Sequence, residues 1–299
     1  MKVAVISSSS RIVTGTAVAM IAFAANSVLN RLALSGGHAD AASYTGLRLA
    51  SGAVMLALLL GWRTGWHRRP VGGGIWPAVA LFLYAIGFSI ANLRLEAGTG
   101  ALILFAAVQI GMLGWAISQG ERPGMLETAG FALAILSLIA LLLPGATAPD
   151  PGGAALMVVA GLSWAAYTLM GRGSAAPLTD TAGNFIRCLP IGILLVLPGA
   201  FFQTISLQGW AYAIASGALA SGLGYALWYS VLPALQRSNA AYVQLSVPAI
   251  AALGGVLFIA EPIGWRLVIC SVGILGGVAL ALWGAGRRRP APGGNSPGR

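Results

Sequence analysis

The feature that most constrains this chain is a repeat whose unit holds an odd number of apolar spans. Residues 99–124 read TGALILFAAVQIGMLGWAISQGERPG, and residues 239–264 read NAAYVQLSVPAIAALGGVLFIAEPIG. Under that shift of 140 (239 minus 99), Ala101 meets Ala241, Ile110 meets Ile250, Glu121 meets Glu261 and Gly124 meets Gly264. The same offset brings Phe23 near Trp164, Arg31 near Arg172 and Arg48 near Arg187. Matches between common apolar residues carry little weight singly. A shared register, with a Glu at the same exit from an apolar run, points to duplication.

The spans must cross a bilayer. Hydrophobic residues make up 58% of the chain and charged residues only 8%, against roughly a quarter charged in a soluble domain. About 20 apolar residues cross a membrane. Spans are therefore expected at about 13–34, 40–61, 73–93, 97–119, 125–144, 153–171, 179–199, 208–232, 238–260 and 263–285. The expected fold class is an all-α integral membrane protein, ten transmembrane helices in two inverted five-helix repeats. An odd number per unit turns the second copy upside down, and inverted repeats bind substrate at the bilayer midplane between them. The expected domains are a cytoplasmic segment 1–12, repeats at 13–147 and 148–286, and a basic, Pro/Gly-rich, disordered tail at 287–299. Lys2 and Arg11 before an apolar run resemble a signal peptide. The run is span-length and no small-residue cleavage site follows it, so it reads as a retained first helix.

The net charge of +10 does not indicate nucleic acid, because the basic residues are scattered between spans. With both termini inside, Lys2, Arg11, Arg63, Arg68, Arg69, Arg122, Arg172, Arg237, Arg287, Arg288, Arg289 and Arg299 face the cytoplasm, and only Arg31, Arg94 and Arg266 face out. That asymmetry fits an inner-membrane protein with cytoplasmic termini. Cys188 and Cys270 lie in apolar runs and read as small buried hydrophobes.

No Walker loop, metal-ligand cluster or nucleophile–His–acid set supports catalysis, and no cofactor is expected. All seven acidic residues fall near span ends or in links. A proton-driven exporter of cationic drugs needs a carboxylate in the membrane, so cationic drugs are disfavoured. Arg48 and Arg187 are the strongly charged residues within spans. They bind either a substrate carboxylate or carbonyls of their own half, and their related positions favour the structural role. Mid-span rings and amides form the candidate substrate site: Phe23, Asn26, Tyr84, Phe88, Phe105, Gln109, Trp164, Tyr167, Tyr225 and Tyr242. Ser163, Trp228, Tyr229 and Gln244 belong to the wider set. A ring-lined cavity with a few hydrogen-bonding groups suits a small, partly apolar molecule. Trp62, Trp66, Trp76, Trp210 and Trp265 read as an interfacial belt. Pro190, Pro233 and Pro248 mark bends, and Gly273 and Gly277 a close helix contact within the fold or, alternatively, in a dimer.

The chain resembles the EamA-type branch of the drug/metabolite transporter superfamily, most of all YddG-type amino-acid and metabolite exporters. The resemblance rests on GERPG (120–124), AEPIG (260–264), RLASG (48–52) after Tyr44, and GLSWAAYTLMGR (161–172). It implies a ten-helix fold with a central cavity formed by helices 1, 3, 4, 6, 8 and 9. Trp164 falls on the helix 6 tryptophan and Tyr84 on a helix 3 tyrosine, while Phe23 replaces the usual helix 1 tryptophan. The membrane glutamate of small multidrug relatives is absent. The expected activity is export of amino acids or similar metabolites by alternating access. The alternatives are efflux of toxic organic compounds and a non-transporting sensor or scaffold. Expected partners are a small substrate and the lipid bilayer, with the chain a monomer or, alternatively, a dimer.

Overall fold

A computed structural model describes residues 8–64, 72–120, 122–145, 148–202, 205–231, 234–235 and 243–288. The described secondary structure is helical throughout: α1 (Ser8–Ser35), α2 (Ala41–Thr64), α3 (Ile75–Ala91), α4 (Ala97–Ser118), α5 (Met125–Leu142), α6 (Pro151–Met170) and α7 (Pro177–Phe201). A rod follows, made of α8 (Leu207–Ile214), a π-helical stretch (Ala215–Leu223) and α9 (Gly224–Val231). Then come α10 (Ser246–Ile259) and α11 (Trp265–Arg288). α1, α2, α4, α5, α6, α7 and α11 are each long and apolar enough to cross a membrane; α3 and α10 are shorter apolar helices. The chain is a multi-pass membrane protein.

Local chemistry sets the ends of these helices. Pro151 and Pro177 open α6 and α7, where a missing N–H costs nothing. The Asp150 carboxylate accepts from the Gly153 N–H at 2.6 Å, capping α6. Gly37, Gly120 and Gly173 take positive φ just past α1, α4 and α6, as helix-ending glycines do. Ala260 takes φ 55° after α10, a strained position for a residue with a Cβ. It turns the chain so that the Glu261 N–H donates to Gly255 O.

Packing follows the 140-residue offset. α2 lies on α7, α4 on α10 and α5 on α11, each pair being offset-related helices. α3 lies on α6, and the rod lies on α1; α4 lies on α6, and α10 lies on α1. Small residues allow the close approaches. A Cβ on Gly46 would stand 2.3 Å from Gly192 O, and one on Gly277 would stand 2.5 Å from Gly130 O. The Gly273–Gly277 face is thus spent on α5 of the same chain.

Hydrogen bonds show which links share an end. The link after α1 meets the one after α7 through Ser206 N–H to His38 O. The link after α3 meets α1 and the link after α10 through Glu261, and meets the link before α6 through Arg94–Asp150. At the opposite end, Gly73 and Gly74 N–H donate to Asp180 and Asn184 of α7. Arg31, Arg94 and Arg266, the three arginines assigned to the outer face, all lie at the first end. Each is held by an acid or by carbonyl oxygens.

Four details depart from the sequence reading. The π stretch interrupts the eighth span. Pro248 falls in the first turn of α10, where it displaces no hydrogen bond. Pro190 and Pro198 are exposed within α7, which continues past both. Trp62, Trp76 and Trp265 are exposed as belt residues should be, whereas Trp210 packs beside Tyr44. Tyr242, Glu121, Trp66, Pro233, Arg237 and residues 289–299 lie outside the described residues.

Candidate functional site

α1, α3, α4, α6, α9 and the start of α10 enclose a cavity between the two halves. Its rings come from near the middle of their helices: Phe23, Tyr84, Phe88, Phe105, Trp164 and Tyr225. They touch one another. Trp164 stacks on Tyr225 (centroids 5.5 Å, planes 18° apart) and lies 4.8 Å from Tyr84. Phe23 meets Tyr225 at 5.6 Å and Trp228 at 6.1 Å. The free space within is about 40 Å³, room for a water or two and well below the roughly 300 Å³ of an open ligand site. In this state the rings fill the chamber they line.

The polar wall is specific. The Asn26 side-chain oxygen accepts from Ser216 Oγ at 2.7 Å and from Ser221 Oγ at 3.4 Å. Both serines lie on the π stretch, so one buried amide ties α1 to the least regular part of the rod. π segments recur at functional sites because they widen a helix locally. Ser27 and Gln244 also line the cavity. A second, roomier groove between α1 and the start of α10 is almost wholly apolar, and only Thr16 and Ser246 break its lining.

Eight candidate positions meet here or lean on the wall. Phe23, Asn26, Tyr84, Phe88, Phe105, Trp164 and Tyr225 line the cavity, and Tyr167 stacks behind Trp164 at 5.2 Å. Gln109 is half-buried on α4 but not in the lining; Val108, beside it, takes that place. Ser27, Leu104 and Val247 complete the wall and were missed, since small or aliphatic mid-span residues carry no signal of their own. The rule that residues three apart share a helix face would have led from Phe105 to Val108.

The two in-span arginines part company. Arg187 donates to Gly72 O at 2.5 Å and Gly183 O at 3.0 Å. Arg48 is 2% exposed. Its guanidinium lies over the rings of Tyr84 (5.5 Å) and Phe88 (5.3 Å), and Nη2 donates to the Tyr84 hydroxyl at 3.1 Å. Nη1 has no hydrogen-bond partner. Ring faces offset about 2 kcal/mol of a desolvated cation's cost, whereas a charge inside a bilayer costs at least about 2.5–3.5 kcal/mol. Arg48 is left under-satisfied.

At the end that holds the links after α3 and α10, Arg31 Nε donates to Glu261 Oε1 at 2.8 Å and Arg31 Nη1 to Asn92 O at 2.9 Å. Glu261 Oε2 accepts from the Ala97 N–H at 2.8 Å. Burial, then the nearby Glu261 charge, raise the Glu96 carboxyl above its ordinary value, opposed by Arg31. Among the described residues no group of acids, histidines and cysteines is placed to hold a metal.

The sequence profile of the EamA-like transporter family matches residues 151–283. An uncharacterized protein of Pseudomonas aeruginosa is 53% identical over 269 residues, covering 89% of this chain and 93% of its own length. The threonine/homoserine exporter RhtA of Escherichia coli K12 is 28% identical over 229 residues, 73% of each chain. One solved crystal structure superposes with a TM-score of 0.61 at 20% identity, covering 93% of this chain and 99% of its own, a likeness of fold.

Proposed function

We propose, from the premise that this chain belongs to the EamA-type branch of the drug/metabolite transporter superfamily, that it exports amino acids and related small metabolites across the inner membrane. Similarity to a threonine/homoserine exporter supports export of a small molecule. The observation that carries the substrate reading is the closed, ring-lined chamber with Asn26 in its wall. Its rings offer apolar contact and its few polar groups fix orientation, which suits a compact molecule with one polar end.

Ten crossings in two inverted units, 13–147 and 148–286, are supported by the recurrence of helix pairs under the 140-residue offset, and cytoplasmic termini by the uneven split of Lys and Arg between the two sides. The ties at each end, Arg31–Glu261 on one side and Asp180–Gly73 on the other, join opposite halves. Breaking one set while keeping the other would open the chamber to one side, as alternating access requires. Phe23, Tyr84, Trp164 and Tyr225 would then grip the substrate.

Purified protein in liposomes tests this. Counterflow of labelled neutral amino acids is the expected result; flux of dyes or drugs alone would replace the substrate, and no flux at all would leave a sensor or scaffold. Trp164→Ala, which removes the central ring, should cut flux by about tenfold or more at normal expression, the loss of roughly 1.4 kcal/mol of binding. Unchanged flux in that variant would remove the chamber from the pathway.

A further inference from the structure

Four of the other arginines hydrogen-bond to oxygen that carries charge or a strong dipole, while the exposed Arg287 lies over the Trp283 ring. Arg31 and Arg94 pair with carboxylates, and Arg187 and Arg266 take backbone carbonyls. Arg48 has neither. It forms no ion pair among the described residues, its Nη2 rests on a phenol, and its Nη1 rests on nothing. A clamp that served the fold alone would not leave a donor of an obligate cation empty. The two rings that cover it, Tyr84 and Phe88, are also cavity walls.

We infer that Arg48 is the anion anchor of the chamber, reached when Tyr84 and Phe88 part, and that the transported class carries a carboxylate. The inference rests on the transport reading and names the end of the substrate that is recognised. The incoming carboxylate displaces the Tyr84 hydroxyl from Nη2 and spans Nη2 and the empty Nη1, the two-point geometry a guanidinium offers. The facing rings close on the remainder of the molecule. A lone amine finds no counter-charge in this lining, which holds no acidic residue. Molecules without the acid group are therefore rejected.

The test pairs acids with their amides. The detergent-solubilised full chain is melted with benzoate, benzamide, phenylacetate and phenylacetamide, as wild type, Arg48→Met and Tyr84→Phe. The acids should raise the melting temperature of wild type and the amides should not; Arg48→Met should abolish that rise, and Tyr84→Phe, which removes the internal competitor, should strengthen the apparent affinity. Acids and amides acting alike, or a response that survives Arg48→Met, overturns the anchor. In liposomes, counterflow of whichever amino acids the wild type carries should fall about tenfold or more in Arg48→Met, with Arg48→Lys between the two. Wild type that responds to benzoate but carries no amino acid sinks the export reading and keeps the anchor. Normal amino-acid counterflow in Arg48→Met sinks the anchor and keeps export.

Discussion

Arg48 of α2 and Arg187 of α7 invite treatment as a pair, yet one lies against two rings of the chamber wall and the other bonds a loop. The offset explains it. Asp40 and Asp180 stand 140 apart at the starts of α2 and α7: Asp40 accepts from the Ser43 N–H of its own helix at 2.9 Å, and Asp180 from the Gly73 N–H of the link before α3 at 2.8 Å. Gly52 and Gly192, further along, are also 140 apart. Between these fixed points Arg48 is eight residues past its aspartate, and Arg187 is seven past its own. One residue is about 100° around a helix. The true counterpart of Arg48 is Cys188, which is just as buried at 2% exposure and points its Sγ at Ala78 O. Arg187 corresponds to Leu47. Under that offset the two arginines fall one residue out of register, and one is a loop clamp while the other is a buried cation.

The largest expected effect comes from closing that one-residue difference. The exchange Arg187→Cys with Cys188→Arg puts a cation at the offset mate of Arg48, against α3 backbone, and strips the carbonyls of their donor. A loss of about 3–5 kcal/mol is expected for an uncompensated buried charge, a large share of the 5–15 kcal/mol typical of a whole fold. Size-exclusion of the solubilised protein should show aggregation. A monodisperse, heat-stable double variant would mean the one-residue difference has no directional consequence.

Next in size is a pair of single changes with opposite signs. Arg187→Met should lower stability by about 1.5–3 kcal/mol, the worth of hydrogen bonds from a charged group. Arg48→Met should leave stability unchanged or raise it, because an apolar chain of similar length replaces a poorly satisfied buried charge. Thermal unfolding of the two in one detergent checks the signs. Equal losses would show that both arginines are structural.

That contrast also marks what the sequence could tell. The membrane class followed from apolar content, and the site rings followed from aromatic residues placed mid-span: Tyr84, Trp164 and Tyr225 meet as expected. Direction around a helix was not legible. It turns on single residues, so Gln109 was chosen where Val108 faces in, and Arg48 and Arg187 were grouped. The π stretch left no trace either. ASGALASGL reads as ordinary small-residue helix, and its partner Asn26, which accepts from Ser216 and Ser221, lies some 190 residues earlier.

The smallest expected effect concerns the Arg31–Glu261 tie, where offset-related positions differ again. Glu261 of the second half has Glu121 as its mate, but Glu96, beside Glu261, corresponds to Gln236. Burial and the Glu261 charge raise the Glu96 carboxyl above the ordinary 4.5, so the folded state holds that proton more tightly than the unfolded chain does. The stabilisation is therefore complete below the ordinary value and fades as pH rises through the raised one, when the ionised Glu96 repels Glu261 next to its bond with Arg31. Glu96→Gln installs the second-half residue and removes the titration. Wild type should lose on the order of 1 °C of melting temperature across that window because the site is half-exposed, while the variant stays flat and lies above wild type at neutral pH. If the two curves run parallel, Glu96 is not coupled to the tie, and the difference between the halves at this end is one of sequence alone.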